Sequence, residues 1–176
     1  LADQADPQTF LAQHGARFTG LATSAPAGAS AALLAALPNL RVISSHGVGL
    51  DKIDLAVAAQ RGIQVGYTPE VLNDCVADLA MALLLDVARG ASAADRFVRR
   101  GDWPKAKFRL ARKVSGQRLG ILGLGRIGRA VAQRAVGFDM QIRYTNRKPV
   151  AGVPWQFEPA LVELARWADT LVAVVV

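Results

Sequence analysis

Cysteine is almost absent from this sequence of 176 residues, which contains only Cys75. A single cysteine cannot form a disulfide within the chain and excludes a zinc site built on cysteines, and we expect no metal site. Hydrophobic runs are also short: none approaches the roughly 18 residues that a membrane-spanning helix needs, and we expect neither a membrane partner nor a signal peptide. These absences favour a protein of the reducing cytoplasm.

The composition excludes disorder and repetitive architectures. Hydrophobic residues make up 52% of the chain and charged residues 20%, and the 16 glycines and 8 prolines follow no repeat period. Such a chain can bury a core, whereas collagen-like and solenoid folds require a period. The sequence begins with Leu1 rather than methionine and ends within a hydrophobic run, 171–176, that is typical of a buried strand. We therefore expect a fragment that is incomplete at both ends.

Positive charge is concentrated in one segment. The net charge of the chain is +7, and ten basic residues accompany two acidic ones between Arg89 and Arg118, so the rest of the chain is close to neutral. Aromatic residues are interleaved with the basic ones. We interpret the segment as a solvated face or a subunit contact. A nucleic-acid surface is a weaker alternative, because no recognition motif accompanies the charge.

Strands and helices alternate through the first part of the chain. A glycine turn, Gly47-Val48-Gly49, follows the second predicted strand, and Asp51 is placed to cap the next helix, with Asp54 adding negative charge at its start. The predicted strands are 17–23, 40–45 and 63–65, and the predicted helices are 30–37 and 51–61. This alternation predicts a parallel sheet covered by helices.

A long helix is predicted over 73–89. Apolar side chains cover most of its circumference, and the narrow polar strip consists of Asp74, Asp78 and Asp86. This pattern is typical of a buried central helix. We place the domain boundary near Asp74, which gives a first domain over 1–74 and a second over 75–176, with the helix packed on the second.

The strongest motif is rich in glycine. A predicted strand over 118–122 leads into Gly123-Leu124-Gly125-Arg126-Ile127-Gly128, a helix follows to about Val136, and the next strand is predicted over 141–144. Between a strand and a helix, G-x-G-x-x-G predicts a dinucleotide-binding fold. A glycine-rich turn in some other α/β protein is the alternative.

Each position of this motif has a chemical reason. Gly123 permits the tight turn, Gly125 lets the backbone approach the pyrophosphate, and Gly128 lets the helix pack close to the strand. The N–H groups of Arg126 and Ile127 are expected to bind the phosphates at the N-terminus of the helix.

The residues that follow the strand predicted over 141–144 indicate which of the two nicotinamide cofactors binds. An NAD site usually has an acidic residue there, whereas this chain has Asn146, Arg147 and Lys148. Asn146 can bond a ribose oxygen, and the two cations can meet a 2′-phosphate. We predict NADP(H) as the preferred cofactor and leave NAD(H) open. The alternative is that Arg147 and Lys148 are solvated turn residues.

Several separated motifs occur in a distinctive order: 44–54, 61–69, 76–80, the glycine motif, and Asn146-Arg147. Together they resemble the D-isomer-specific 2-hydroxyacid dehydrogenase family, and more narrowly its glyoxylate/hydroxypyruvate reductase branch. One departure is Gly66, where the family commonly has asparagine before the Thr-Pro pair. The resemblance implies Rossmann-like, doubly wound parallel sheets in two partial domains, a flavodoxin-like substrate domain and a dinucleotide-binding domain.

The resemblance also implies roles for individual residues. The backbone N–H groups of Val48 and Gly49 would bind the substrate carboxylate, Val76 would approach the nicotinamide, and Val174 and Val175 would run beside the cofactor. Family members transfer hydride between the nicotinamide and the 2-carbon of a 2-oxo acid. The arginine and the His–Glu pair that assist them are expected beyond the last residue, so we assign no catalytic residue and expect these 176 residues alone to be inactive.

These observations favour an NADPH-dependent reductase that converts glyoxylate or hydroxypyruvate to the D-2-hydroxy acid. By resemblance to the family, we expect a homodimer that forms through 89–113. The main alternative is a dinucleotide-sensing regulator similar to the corepressors that resemble this family. A basic nucleic-acid-binding protein is a third, weaker hypothesis.

Overall fold

The computed structural model describes residues 4–175. The chain divides into two units, Leu1–Val71 (unit 1) and Leu72–Val176 (unit 2). The division falls just ahead of the expected boundary near Asp74. Consequently the whole of the long helix, Asn73–Arg89, belongs to unit 2.

Unit 1 contains a sheet of three parallel strands. The strands are β1 Gly20–Ser24, β2 Val42–His46 and β3 Gln64–Tyr67, and the helices are α1 Pro7–His14, α2 Ala31–Ala35 and α3 Leu55–Gln60. The strand order is β1-β2-β3, and both pairs are parallel. Ile43 of the central strand is fully buried and packs with Leu34 and Ile63 in the core of the unit. The parallel sheet confirms the predicted α/β class.

Helix α3 begins later than the sequence predicted. Its N-cap is Asp54, whose Oδ1 accepts the Val57 N–H at 3.0 Å. The prediction that Asp51 caps this helix is wrong, because the chain there forms a turn in which the Ile53 N–H donates to the Leu50 carbonyl at 2.9 Å. The turn lengthens the loop that follows β2, and that loop carries the glycines of the predicted carboxylate site.

Unit 2 contains four parallel strands. They are β4 Arg118–Leu122, β5 Gln141–Thr145, β6 Gln156–Phe157 and β7 Thr170–Ala173, and the helices are α4 Asn73–Arg89, α5 Ala91–Arg99, α6 Arg126–Val136 and α7 Leu161–Trp167. The strand order is β6-β5-β4-β7. Strands β5 and β6 are added on one side of β4, and β7 is added on the other side, so the strand order reverses at β4. In doubly wound sheets, ligands bind at the carboxyl ends of the strands at such a point.

Helix α4 has the predicted bounds but is buried along one face only. The buried side chains are Ala77, Met81 and Leu84. On the opposite face the exposed fractions are 59% for Leu79, 56% for Leu83 and 81% for Val87. The prediction of a helix buried on all sides is therefore wrong for unit 2 as described. The covered face is the one that packs against the core and α6.

Two of the three aspartates in the polar strip of α4 pair with α6. Arg134 donates through Nε to Asp78 Oδ1 at 2.6 Å and through Nη2 to Asp74 Oδ1 at 3.1 Å. Both carboxylates are largely exposed, and exposed ion pairs contribute about 0–1 kcal/mol each. They link α4 to α6, the helix that follows the glycine motif, with little expected contribution to stability.

One ion pair joins the beginnings of β4 and β7 and makes unit 2 sensitive to acid. Asp169 accepts from Arg118 through Nη2 at 2.8 Å and through the backbone N–H at 3.0 Å. These bonds lower the pKa of Asp169 from 3.8 to about 2. Because the pKa is lower in the folded state, the stabilisation is present above about pH 4 and disappears as the pH falls toward 2.

We expect Asp169→Asn to destabilise unit 2 at pH 6 and to have little effect at pH 2. Urea unfolding midpoints at the two pH values, compared with wild type, measure the difference. Asp95→Asn is the matched control, because Asp95 pairs with Arg99 on the exposed helix α5 and joins no strands. A difference between Asp169→Asn and wild type that stays constant from pH 6 to pH 2 would contradict this assignment.

Candidate functional site

The glycine motif lies at the carboxyl end of β4, where the strand order reverses. Gly123 has φ +96°, and a Cβ there would lie 2.6 Å from the Val174 carbonyl oxygen. A Cβ on Gly128 would lie 2.2 Å from the Gly123 carbonyl oxygen, whereas a Cβ on Gly125 would meet no atom within 4 Å. Two of the glycines are therefore required by packing, and the third borders open space.

Two hydrogen bonds attach the glycine loop to the end of β5. The Gly123 N–H donates to the Thr145 carbonyl at 3.0 Å, and the Leu124 N–H donates to Asn146 Oδ1 at 2.8 Å. The Leu124 side chain is buried beneath the loop. These contacts hold the loop open toward the N-terminus of α6, where Gly125 is the N-cap and offers no side chain that could compete with an anion.

The three polar residues after β5 lie beside this loop. Asn146 is half-buried, and Arg147 and Lys148 are exposed. Because the side-chain oxygen of Asn146 already accepts from the Leu124 N–H, its NH₂ group is the part that can donate to a ligand. The Asn146 side chain thus offers one neutral donor beside the loop, and two exposed cations follow it in the chain.

Val174 and Val175 border the same loop. A Cβ on Gly123 would lie 2.8 Å from Val175 Cγ1, and one on Gly128 would lie 3.3 Å from Val174 Cγ2. Val174 also lines an apolar groove of about 380 Å³ between α4 and β7, and Val76 lines it too. Unit 2 thus places Val174 and Val175 beside the glycine loop and Val76 on the groove that Val174 also lines.

The predicted carboxylate turn follows β2 in unit 1. Gly47 has φ +124°, and a Cβ there would lie 2.9 Å from Ala25 Cβ. Val48 and Gly49 come next and are half-buried. A turn built on glycine leaves main-chain N–H groups as the donors to an anion.

Thr68 is a contact of this turn to which the sequence assigned no role. Its Oγ1 accepts the Gly47 N–H at 2.9 Å, and its own N–H donates to the Gly47 carbonyl at 3.1 Å. The available signal was the Thr-Pro pair directly after a strand, at the carboxyl edge shared with the turn. That signal placed Thr68 near the edge without indicating which atom it would bind.

Residues 4–175 contain no group of three or more His, Cys, Asp or Glu side chains arranged to hold a metal ion. None of the helices formed by these residues has the length and hydrophobicity that a bilayer-spanning helix requires. Cys75 is an exposed free thiol.

A family model described as "D-isomer specific 2-hydroxyacid dehydrogenase, NAD binding domain" matches residues 81–176. The matched stretch contains the glycine loop, the three residues after β5, and Val174 and Val175. It covers more than half of the chain. The resemblance inferred from separated motifs is confirmed by this match.

Known proteins align with nearly the whole chain. Hydroxyphenylpyruvate reductase of Plectranthus scutellarioides is 45% identical over 163 residues, which is 93% of this chain and 52% of that protein. A 2-hydroxyacid dehydrogenase from Ketogulonicigenium vulgare Y25 superposes with a TM-score of 0.93 at 45% identity, covering 99% of this chain and 55% of the other.

A second solved structure contains a nicotinamide cofactor. The NADPH-dependent glyoxylate/hydroxypyruvate reductase from Sinorhizobium meliloti, in complex with NADP and malonate, superposes with a TM-score of 0.84 at 37% identity, covering 98% of this chain and 54% of that one. The chain spans about half the length of the curated relatives that it matches.

Proposed function

The chain belongs to the D-isomer-specific 2-hydroxyacid dehydrogenase family, and we propose that the whole protein reduces glyoxylate or hydroxypyruvate to the D-2-hydroxy acid with NADPH. The observation that carries this proposal is the glycine loop at the end of β4, which is hydrogen-bonded to Thr145 and Asn146. After β5, Asn146 offers a neutral donor, and the cations Arg147 and Lys148 follow it. A relative of the same family with the name of an NADPH-dependent glyoxylate/hydroxypyruvate reductase supports it.

The residues of unit 2 fit a dinucleotide. The open space at Gly125 admits a pyrophosphate against the N-terminus of α6, and the N–H groups of Arg126 and Ile127 are its proposed donors. The Asn146 NH₂ group would donate to the ribose, and Arg147 and Lys148 would bind the 2′-phosphate of NADP(H). Bound in this way, the cofactor supplies the hydride that reduces the 2-carbon of the substrate.

Apolar side chains continue the proposed site beyond the phosphates. Val174 and Val175 pack beside Gly123, and Val76 lines the adjoining groove. An apolar wall excludes water from a nicotinamide without offering a group that reacts with it. We assign Val76 to the nicotinamide side of the site on this basis.

The substrate carboxylate is assigned to the turn after β2. The N–H groups of Val48 and Gly49 would grip one carboxylate, which every 2-oxo acid carries. We assign none of the 176 residues to the arginine and the His–Glu pair of the family, which would polarise the carbonyl and supply the proton. The proposed role of unit 1 is therefore to bind and orient the substrate through this turn.

Turnover by the whole protein tests the proposal. We expect reduction of glyoxylate and hydroxypyruvate to be faster with NADPH than with NADH, with 4-hydroxyphenylpyruvate as a comparison substrate because a relative bears that name. Equal rates with the two cofactors would contradict the NADP(H) assignment. Absence of turnover with all three acids would contradict the proposed reductase activity. The regulator hypothesis gains no support from the relatives, whose names are those of reductases and dehydrogenases.

We propose that the basic segment forms a homodimer contact. Arg109 lies 5.9 Å from the centre of the Phe108 ring, and apolar side chains are exposed nearby, with exposed fractions of 55% for Val98, 65% for Trp103 and 98% for Leu110. Exposed apolar side chains mixed with arginine favour a protein partner over nucleic acid. Sedimentation of the whole protein at the monomer mass would contradict this contact.

A cytoplasmic location is part of the same proposal. Its support is the single, unpaired Cys75, since proteins of oxidising compartments commonly use disulfides. Recovery of the whole protein from a secreted fraction of its source cells would contradict it.

A further inference from the structure

Thr68 makes three hydrogen bonds to one residue of the carboxylate turn. Its Oγ1 accepts the Gly47 N–H at 2.9 Å and donates to the Gly47 carbonyl at 3.2 Å, and its own N–H donates to the same carbonyl at 3.1 Å. Both residues are half-buried. Every backbone polar group of Gly47 is thus bound by Thr68.

These bonds continue the contact between the two strands beyond the last backbone pair of β2 and β3. The pairing of β2 with β3 stops at Ser45 and Tyr67, and the φ of +124° at Gly47 prevents the turn from continuing as a strand. On the other side, the Ala25 N–H donates to the His46 carbonyl at 3.0 Å. The end of β2 and the first residue of the turn are therefore bound by the residues that directly follow β1 and β3, and Thr68 is the residue on the β3 side.

The residue after Thr68 keeps its side chain in place. Pro69 disfavours helical backbone at Thr68 and restricts it to extended conformations, and a β-branched side chain has few rotamers. The Thr68 hydroxyl therefore loses little conformational entropy when it binds Gly47. This gives a physical role to the Thr-Pro pair that follows β3.

We propose that Thr68 is a positioning residue for substrate binding: it fixes Gly47 so that the N–H groups of Val48 and Gly49 converge on one carboxylate. The inference rests on the proposed function, because the anion assigned to the turn is the 2-oxo acid. Two main-chain donors bind one anion well only if the backbone that precedes them has a single conformation. Thr68 does not touch the reacting atoms, so its effect falls on binding.

The test uses Thr68→Val in the whole protein, which keeps the shape of the side chain and removes the hydroxyl. We expect the KM for glyoxylate to rise about ten-fold, the loss of about one hydrogen bond, with kcat changed less than two-fold and the KM for NADPH unchanged. Thr68→Ser should restore the KM. Thr23→Val is the matched control, because the hydroxyl of Thr23, near the end of β1, donates to the Gly28 carbonyl and not to Gly47.

A second readout does not depend on activity. Hydrogen exchange of the peptide covering 44–50, followed by mass spectrometry, should be faster in Thr68→Val than in wild type, Thr68→Ser or Thr23→Val. Unchanged exchange in Thr68→Val overturns the proposal even if the wild type is an active reductase. If wild type reduces no 2-oxo acid, the proposed function fails, and the exchange measurement still decides whether Thr68 fixes the turn. Equal rises in KM for Thr68→Val and Thr23→Val also overturn it.

Discussion

Gly125→Ala should lower the affinity of the whole protein for NADPH at least 100-fold while leaving its thermal stability unchanged. Gly125 has φ −81° and ψ −155°, which alanine adopts without strain, and a Cβ there meets no protein atom within 4 Å. The methyl group would occupy the space assigned to the pyrophosphate. Losing two charge-assisted hydrogen bonds, at about 1.5–3 kcal/mol each, corresponds to a factor of about 100 or more.

The neighbouring glycine provides a contrast. Gly128→Ala places a Cβ 2.2 Å from the Gly123 carbonyl oxygen, so the backbone must move and the Tm should fall. Gly137→Ala is the matched control, because Gly137 has ordinary helical φ and ψ and a Cβ there meets its nearest atom at 3.4 Å.

Titration of the NADPH fluorescence and thermal unfolding, measured on the three variants, separate the two effects. Wild-type affinity in Gly125→Ala would contradict the placement of the pyrophosphate. A lowered Tm in Gly125→Ala would contradict the open space beside the loop.

The elements that the sequence predicted well are those marked by both composition and punctuation. Strand β4 was predicted with its observed bounds, β5 to within a residue, and the end of α6 at Val136, because a buried apolar run meets a glycine motif there. Helix α4 ends at Arg89 as predicted, since Gly90 takes the left-handed conformation with φ +67°. Apolar runs and the glycines at their ends act over a few residues, so they predict the bounds of single elements.

Other elements were missed for identifiable reasons. Helix α1 begins after Asp6, whose Oδ1 accepts from the Gln8 and Thr9 N–H groups, and has Pro7 at its first position. An aspartate followed by proline is a local start signal for a helix. Helix α5 buries none of its residues and has no side-chain cap at its start, and β6 has only two residues, too few for any pattern.

The contacts that shape the site could not be predicted from the sequence. Thr68 and Gly47 are 21 residues apart, and Asn146 and Leu124 are 22 apart. Residue types and spacing place these residues at the right strand ends, but the pairing of one side-chain atom with one amide depends on the register of the sheet. The sequence therefore predicts the chemistry of the site better than its internal supports.

Arg147→Asp should reverse the cofactor preference of the whole protein from NADPH to NADH. Arg147 is exposed, so the change should not unfold the chain. A bond to a 2′-phosphate of about 1.5–3 kcal/mol is lost, which is roughly ten- to a hundred-fold in NADPH affinity, and a carboxylate that can accept from a ribose hydroxyl is gained. The ratio of kcat/KM with the two cofactors measures the switch. Arg41→Asp, an equal change of charge just before β2 in unit 1, should leave the ratio unchanged.

Asn146 separates recognition of the ribose from support of the loop. Asn146→Asp keeps an oxygen for the Leu124 N–H and replaces the donor NH₂ by an acceptor, so affinity for NADPH should fall more than affinity for NADH, with the Tm unchanged. Asn146→Leu removes the hydrogen bond that Asn146 accepts from the Leu124 N–H. It should lower the affinity for NADPH and for NADH equally. If Asn146→Asp and Asn146→Leu change the two affinities in the same ratio, Asn146 serves the loop alone, and the preference for NADP(H) depends on Arg147 and Lys148.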